Sequence, residues 1–361
     1  MRNKQYLIWK LKRHCRMTTV AAVCCFAVSY AKTDVPLFLF SGQSNMVCLG
    51  ASVSNLTADQ KKTVDDIKID SRADQNTKTW ATLGPGFGND ANHFGPELFF
   101  GKTLSDSMPG VKIAFIKDAS SGTYLGQTGG WLPPSSNNGT GGTLYRNMMT
   151  HIDKALASFN KAFDTAQYEP RWAGFVWLQG EFDGMDQNLA NKYETNLTNL
   201  IKDIRAKAGV ENLPVIIEMI KPVSMWQYAA TIRAAEVACA QKLENVDTMD
   251  TKDLALSSDN VHYNAASMIK IGAISAQRWL KMEFTASWWD SPVVYRSKDN
   301  MARPVSRTLS EAGFPAAIFD LRGRSVSAAH SAKTTAAHGL FIVRTGDAAN
   351  SIKRPIMNYS R

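Results

Sequence analysis

The 361-residue sequence predicts an α/β fold, a three-layer α/β/α sandwich around a central parallel sheet, with a small C-terminal β-rich or flexible tail. Three observations carry this. Short apolar runs rich in β-branched and aromatic residues recur along the chain, stretches of helical period separate them, and small polar turns follow them. Runs that are apolar on both faces suit strands of a buried parallel sheet, and repeated strand–helix alternation winds such a sheet.

Taken in order, the predicted strands are 35–40 (VPLFLF), 111–116 (VKIAFI), 172–178 (WAGFVWL) and 213–220 (LPVIIEMI). Helical stretches fall at 96–105, 144–163, 188–208, 227–243 and 265–284. In 144–163, Met148, Ile152, Ala155, Leu156 and Phe159 recur every three or four residues and make one apolar stripe. Ligands of such sheets bind beyond the carboxyl ends of the strands, so the residues after each strand are the ones to inspect.

The ends differ from this body. The net charge of +9 is carried there: Arg2, Lys4, Lys10, Lys12, Arg13 and Arg16 give residues 1–31 a charge of +6. Residues 291–361 hold 11 basic and 4 acidic residues, a balance of +7, which leaves −4 for 32–290. A basic groove for nucleic acid is therefore not expected. Residues 1–31 read as a signal peptide, with a basic start, the apolar run 17–29, and Ser29 and Ala31 before Lys32. A helix of that run spans about 20 Å against a bilayer core of about 30 Å, so no integral membrane segment remains after its removal. Val23 precedes Cys24 where a lipoprotein site needs a small residue. The expected location is secreted, cell-surface or periplasmic, in a bacterium.

Residues 32–290 form the expected main domain and 291–361 a basic tail. The tail has two short apolar runs, 316–321 and 339–343, and its Asp320-Leu-Arg-Gly-Arg324 segment followed by Gly339-Leu-Phe-Ile-Val-Arg344 resembles the C-terminal sorting tails of exported bacterial proteins, which implies secretion machinery as a partner. The alternative is a plain appendage. Cys48 and Cys239 are the cysteines left after signal removal, either as one disulfide or as two buried thiols. The histidines show no HxxxH spacing, and no structural zinc is expected.

Three turns carry candidate chemistry. After the first strand comes Ser41-Gly42-Gln43-Ser44-Asn45-Met46, where a glycine turn can lift the Ser44 hydroxyl above the sheet and present its N–H to an oxyanion. Asn45 as a helix cap is the plain alternative. The third strand runs into Gln179-Gly180-Glu181-Phe182-Asp183, an amide and two carboxylates. Glu181 and Asp183 taken alone read as solvated loop carboxylates. Downstream, Asp259-Asn260-Val261-His262 puts an acid three residues before an imidazole, so that one ring nitrogen can be oriented and the other left to act as base.

GQSNM, WLQGEFD and DNVHYN, in that order and separation, resemble SGNH-type hydrolases. They are most similar to the carbohydrate esterases that include acetylxylan esterases and sialic-acid-specific O-acetylesterases. Phe94-Gly95-Pro96-Glu97-Leu98 and Gly122-Thr123 add to the likeness, which covers about residues 34–283. It implies a flavodoxin-like fold, Ser44 as nucleophile, His262 as base, Asp259 as its acid, and no metal or organic cofactor. It further implies an oxyanion hole of the Ser44 and Gly122 N–H groups with the Gln179 side chain. Glu181 is either a helper of His262 or a structural neighbour of the Ser44 loop. The chain has Gln43 where many SGNH hydrolases have Asp, and Gln179-Gly180-Glu181 where they have a Gly-x-Asn-Asp block.

The implied activity is removal of O-acetyl groups from a polysaccharide, acetylated xylan before sialic acid. The alternatives are a lipase-like hydrolase and a non-catalytic carbohydrate-binding protein. A polar, glycine-rich loop at 129–142 lacks the apolar character of a lipase lid. Gln43, Asn45 and Trp131 are the expected substrate contacts, with Trp131 either stacking on a sugar or plugging the base of its loop. His93 reads as an ordinary loop residue.

Overall fold

The computed structural model describes residues 31–282 and four short strands at 316–319, 325–326, 341–345 and 355–356. The chain divides into two compact units, Met1–Tyr295 and Arg296–Arg361. The predicted signal peptide lies outside the described residues, as does residue 284, the expected end of the last helix.

In the first unit seven strands form one sheet: β1 (Thr33–Gly42), β2 (Val64–Ala73), β3 (Asn76–Leu83), β4 (Ile113–Ala119), β5 (Tyr168–Leu178), β6 (Val215–Glu218) and β7 (Val246–Met249). Their order is β3-β2-β4-β1-β5-β6-β7. Every neighbouring pair is parallel except β2 and β3, an antiparallel hairpin at the edge that the expectation of a parallel sheet did not include. The helices are α1 (Ser44–Val47), α2 (Pro96–Ser107), α3 (Thr143–Ala157), α4 (Gln187–Ala208), α5 (Ala229–Lys242) and α6 (Ala265–Lys281).

Alternation along β1 makes the layers. Phe38 and Phe40 pack with Phe100 of α2 and Trp279 of α6 on one face; Leu37 and Leu39 pack with Ile152 of α3, Leu197 of α4 and Ile232 of α5 on the other. Phe38 meets Phe100, Phe115 and Trp279 edge-on at 4.8–5.7 Å between ring centres. Such contacts add about 0.5–1.5 kcal/mol each beyond burial. The Asp186 carboxylate caps α4 through Asn188 N–H and Leu189 N–H, and Gly209 ends it at φ +66°.

On the α3 face His151 lies between two carboxylates, Nδ1 at 2.8 Å from Asp118 of β4 and Nε2 at 2.8 Å from Asp70 of β2. Burial alone would discharge this imidazole, but the bonds to Asp118 and Asp70 outweigh it and push its pKa up to about 9. The charged ring pins α3 to the sheet. None of the described helices is long and apolar enough to cross a membrane.

In the second unit, β8 (Ala316–Phe319), β9 (Ser325–Val326), β10 (Phe341–Thr345) and β11 (Pro355–Ile356) form an antiparallel sheet in the order β11-β10-β8-β9. The two apolar runs read from the sequence fall in β8 and β10.

Candidate active site

β1 is the strand from which the winding proceeds in both directions, toward β4 and toward β5, and a crevice opens beyond the carboxyl end of such a strand. Register brings three strand ends level there, since Gly42 pairs with Ala119 of β4 and with Leu178 of β5. The turns that leave these ends carry Ser44, Gly122 and Gln179.

Only glycine fits at Gly42, where φ is +151° and a Cβ would lie 2.0 Å from the Leu178 carbonyl oxygen. The chain then binds back, Gln43 N–H donating to Leu178 O at 3.0 Å, and α1 starts at once. Met46 and Val47 N–H both donate to Gln43 O at 2.8 Å, which leaves the Ser44 N–H without an intramolecular acceptor among the described residues. The Gly122 N–H is likewise unengaged, on a left-handed backbone at φ +67°.

His262 arrives on the loop between β7 and α6. Asp259 folds this loop by accepting from Val261 N–H and His262 N–H, both at 2.9 Å, and from Ser257 Oγ at 2.7 Å. Its second oxygen lies 2.6 Å from His262 Nδ1. Burial works against the Asp259 charge, but these donors outweigh it and hold the carboxyl far below its usual range. Asp259 is not the cap of α6; Asn264 is, accepting from Ser267 N–H at 3.0 Å.

The loop is docked on the Ser44 turn. Tyr263 N–H donates to Asn45 Oδ1 at 3.1 Å, and Asn45 Nδ2 donates to Glu181 Oε1 at 2.8 Å. A Cβ on Gly50, just after α1, would come within 2.8 Å of His262 Cβ. Three segments far apart in sequence thus close on one point, and the arrangement supplies a hydroxyl, an oriented imidazole with an open Nε2, and two free backbone donors.

Two expected roles change and one open alternative is resolved. Asn45 is buried with both ends of its carboxamide engaged, so it braces the site and does not bind substrate. Gln179 Nε2 already faces three acceptors, Asp183 Oδ2 at 2.7 Å and Gln43 Oε1 and Thr123 O at 3.1 Å, so its two hydrogens are not available to an oxyanion. Gln43 Nε2, within a fully buried residue, is an unengaged side-chain donor. Trp131 is 0% exposed, its Nε1 donating to Thr123 Oγ1 at 2.8 Å and its ring edge-on to Trp177, so it plugs its loop and cannot stack on a sugar.

Glu181 makes no bond to His262, whose Nδ1 belongs to Asp259; its tie runs through Asn45 to the backbone of Tyr263. It is 2% exposed, and burial raises its pKa although the Asn45 bond and the nearby His262 oppose this. Asp183 is buried too, accepting from Leu125 N–H and Gly126 N–H at 2.8 Å each, where the sequence suggested a solvated carboxylate. Glu97 of the FGPEL motif is away from the site, fully buried 2.8 Å from Lys117 Nζ. The 129–142 loop turns down onto α4, Ser135 N–H and Oγ meeting Asp203 at 3.1 and 2.5 Å. No cluster of three or more His, Cys, Asp or Glu able to hold a metal is found among the described residues.

The sequence pattern of the family described as "Carbohydrate esterase, sialic acid-specific acetylesterase" matches residues 34–281, which takes in the seven-stranded sheet except for Thr33, and all six helices. The chain belongs to that family. A probable carbohydrate esterase of Arabidopsis thaliana is 34% identical over 105 residues, 29% of this chain and 39% of the relative. The chain thus matches about two fifths of the length of that curated relative. The solved structure of the same Arabidopsis protein superposes with a TM-score of 0.53 at 22% identity, covering 69% of this chain and 98% of that one, a likeness of fold. A carbohydrate acetylesterase of Xanthomonas citri reaches a TM-score of 0.48 at 18% identity, covering 67% of this chain and 56% of that one.

Proposed function

We propose that the protein hydrolyses O-acetyl esters of a carbohydrate through an acetyl-serine intermediate, with acetylated xylan as the substrate class. The observation that carries this reading is the Asp259–His262 pair, 2.6 Å apart, on a loop tied by Asn45 to the Ser44 turn. His262 Nε2 takes the Ser44 proton as Oγ bonds to the acetyl carbon, and Asp259 stabilises the imidazolium that forms. Negative charge on the carbonyl oxygen is met by the N–H groups of Ser44 and Gly122. The ester C–O bond then breaks, and the sugar oxygen leaves with the proton from His262. Water, giving its proton to the same ring, attacks the acetyl-serine, and acetate departs as Ser44 is restored.

The side chains hydrogen-bonded to one another at the Ser44 turn, Asn45 with Glu181 and Gln179 with Gln43 and Asp183, are neutral amides and carboxylic acids. A sugar bearing a carboxylate calls for a cation such as arginine. This supports a neutral acetylated sugar over sialic acid. Export belongs to the proposal, on the strength of the basic start and the apolar run 17–29.

The test is acetate release from acetylxylan and from an O-acetylated sialic acid by the purified protein beside Ser44→Ala. Release from xylan that vanishes in the variant is the expected result. Release from the sialic acid alone would overturn the substrate class and keep the chemistry; release from neither, with no cleavage of a simple acetyl ester, would overturn both.

A further inference from the structure

The Gly122 N–H must point at the ester, yet glycine at φ +67° supplies no side chain to hold itself in place. Its neighbours do that work. Ser120 N–H donates to Gly42 O at 3.1 Å, fastening the turn to the base of the Ser44 segment. Thr123 Oγ1 closes the turn on Ser120 O at 2.7 Å and is itself held by Trp131 Nε1. Between them Ser121 is gripped twice by one carboxylate from another turn, its N–H 2.8 Å from Asp74 Oδ1 and its Oγ 2.6 Å from Asp74 Oδ2.

Asp74 sits in the two-residue turn of the β2–β3 hairpin, and its own N–H donates to Ala119 O at 3.1 Å. Its φ is +50°, a left-handed backbone for which glycine is the easier residue. The hairpin by itself would fold better with glycine there. What an aspartate adds is the paired contact to Ser121, directly before Gly122.

We propose that Asp74 is a positioning residue for the oxyanion hole, holding Ser121 by its N–H and its hydroxyl, directly before Gly122, so that the Gly122 N–H is aimed before substrate arrives. This rests on the esterase reading. The ester never meets Asp74; the carboxylate acts through the Ser121 backbone, and its loss leaves the donor present but free to swing. Preorganised donors owe their effect to having no reorganisation left to do during the reaction.

The experiment compares wild type, Asp74→Gly and Asp74→Asn for cleavage of 4-nitrophenyl acetate, thermal unfolding, and deuterium uptake of a peptide spanning residues 119–123. Asp74→Gly is expected to unfold at the same temperature or higher, to take up deuterium faster in that peptide, and to lose about ten- to a hundredfold in kcat with KM nearly unchanged. Asp74→Asn still offers an oxygen to Ser121 N–H and is expected to keep kcat within about threefold of wild type. A merely structural role predicts the opposite for glycine, a kcat at the wild-type level.

Asp74→Gly with wild-type kcat, or with unchanged deuterium uptake, overturns the proposal while the esterase reading stands. Should Asp74→Gly not fold, an Asp74→Asn protein as slow as Ser44→Ala would overturn it, because the retained contact would then have rescued nothing. A wild-type protein that cleaves no acetyl ester removes the esterase reading and this proposal with it.

Discussion

His151 and His262 are both part-buried imidazoles fastened to aspartates, yet they are fastened differently. His151 has a carboxylate on each ring nitrogen, Asp118 and Asp70, and Arg72 shares Asp118 at 2.6 Å. His262 has Asp259 on Nδ1 and no hydrogen-bond partner on Nε2 among the described residues. A ring held at both nitrogens must keep both protons, so it is a fixed cation and a clamp. A ring held at one nitrogen keeps its tautomer and leaves the other nitrogen to exchange a proton. The count of carboxylates on the ring, and not the presence of an aspartate, separates the two roles.

The largest effect should come from the open ring. His262→Ala is expected to lower kcat by about 10⁴–10⁶-fold, with a circular-dichroism melt close to wild type. Asp259→Asn should cost about 10⁴-fold in kcat, because the amide stabilises the wrong tautomer and cannot balance an imidazolium. A normal kcat in either variant would show that Ser44 has another base.

The clamped ring should behave in the reverse way. Its folded-state pKa is raised from 6.5 to about 9, so its stabilising contribution is whole below about pH 6.5 and is lost as pH rises through 9. His151→Gln is therefore expected to lower the unfolding free energy by roughly 3 kcal/mol at pH 6, and by much less at pH 10. Denaturant melts at the two pH values check this, and a penalty that does not shrink at pH 10 would break the comparison. The smallest effect belongs to Asp90, which repeats the three-residue spacing with His93 at 2.7 Å on the surface. Asp90→Ala should cost no more than about 1 kcal/mol and leave kcat unchanged, since an exposed ion pair is worth little and His93 takes no part in the proposed reaction.

The sequence made the Asp259–His262 pair readable because three residues of one loop suffice to form it. The Asn45–Glu181 bond spans 136 positions, and the Asp74–Ser121 contacts span 47, so nothing local announced them. Trp131 stays open between two readings in the sequence for a related reason: only the fold brings Thr123 and Trp177 around it and decides for the plug. The strands show the same division. β1, β4, β5 and β6 lie inside the sheet, are covered on both faces and read as continuous apolar runs. β2, β3 and β7 lie at or near the edges, where VDDIKIDSRA, NTKTWATL and VDTM mix charge into the pattern, and they were missed.

The two cysteines among the described residues illustrate what the layered packing entails for chemistry in solution. Cys48 lies in the apolar cluster with α2 and α6, and Cys239 in the cluster with α3, α4 and α5, so the sheet stands between the two sulfurs and they remain separate free thiols. Burial pushes them up to about 12 and about 11, which suppresses the reactive thiolate at neutral pH. Each layer therefore carries its own silent tag. Alkylation of Cys48 would report that the α2/α6 layer has opened, alkylation of Cys239 that the other has, and the order of labelling during slow denaturation would tell which side of the molecule yields first.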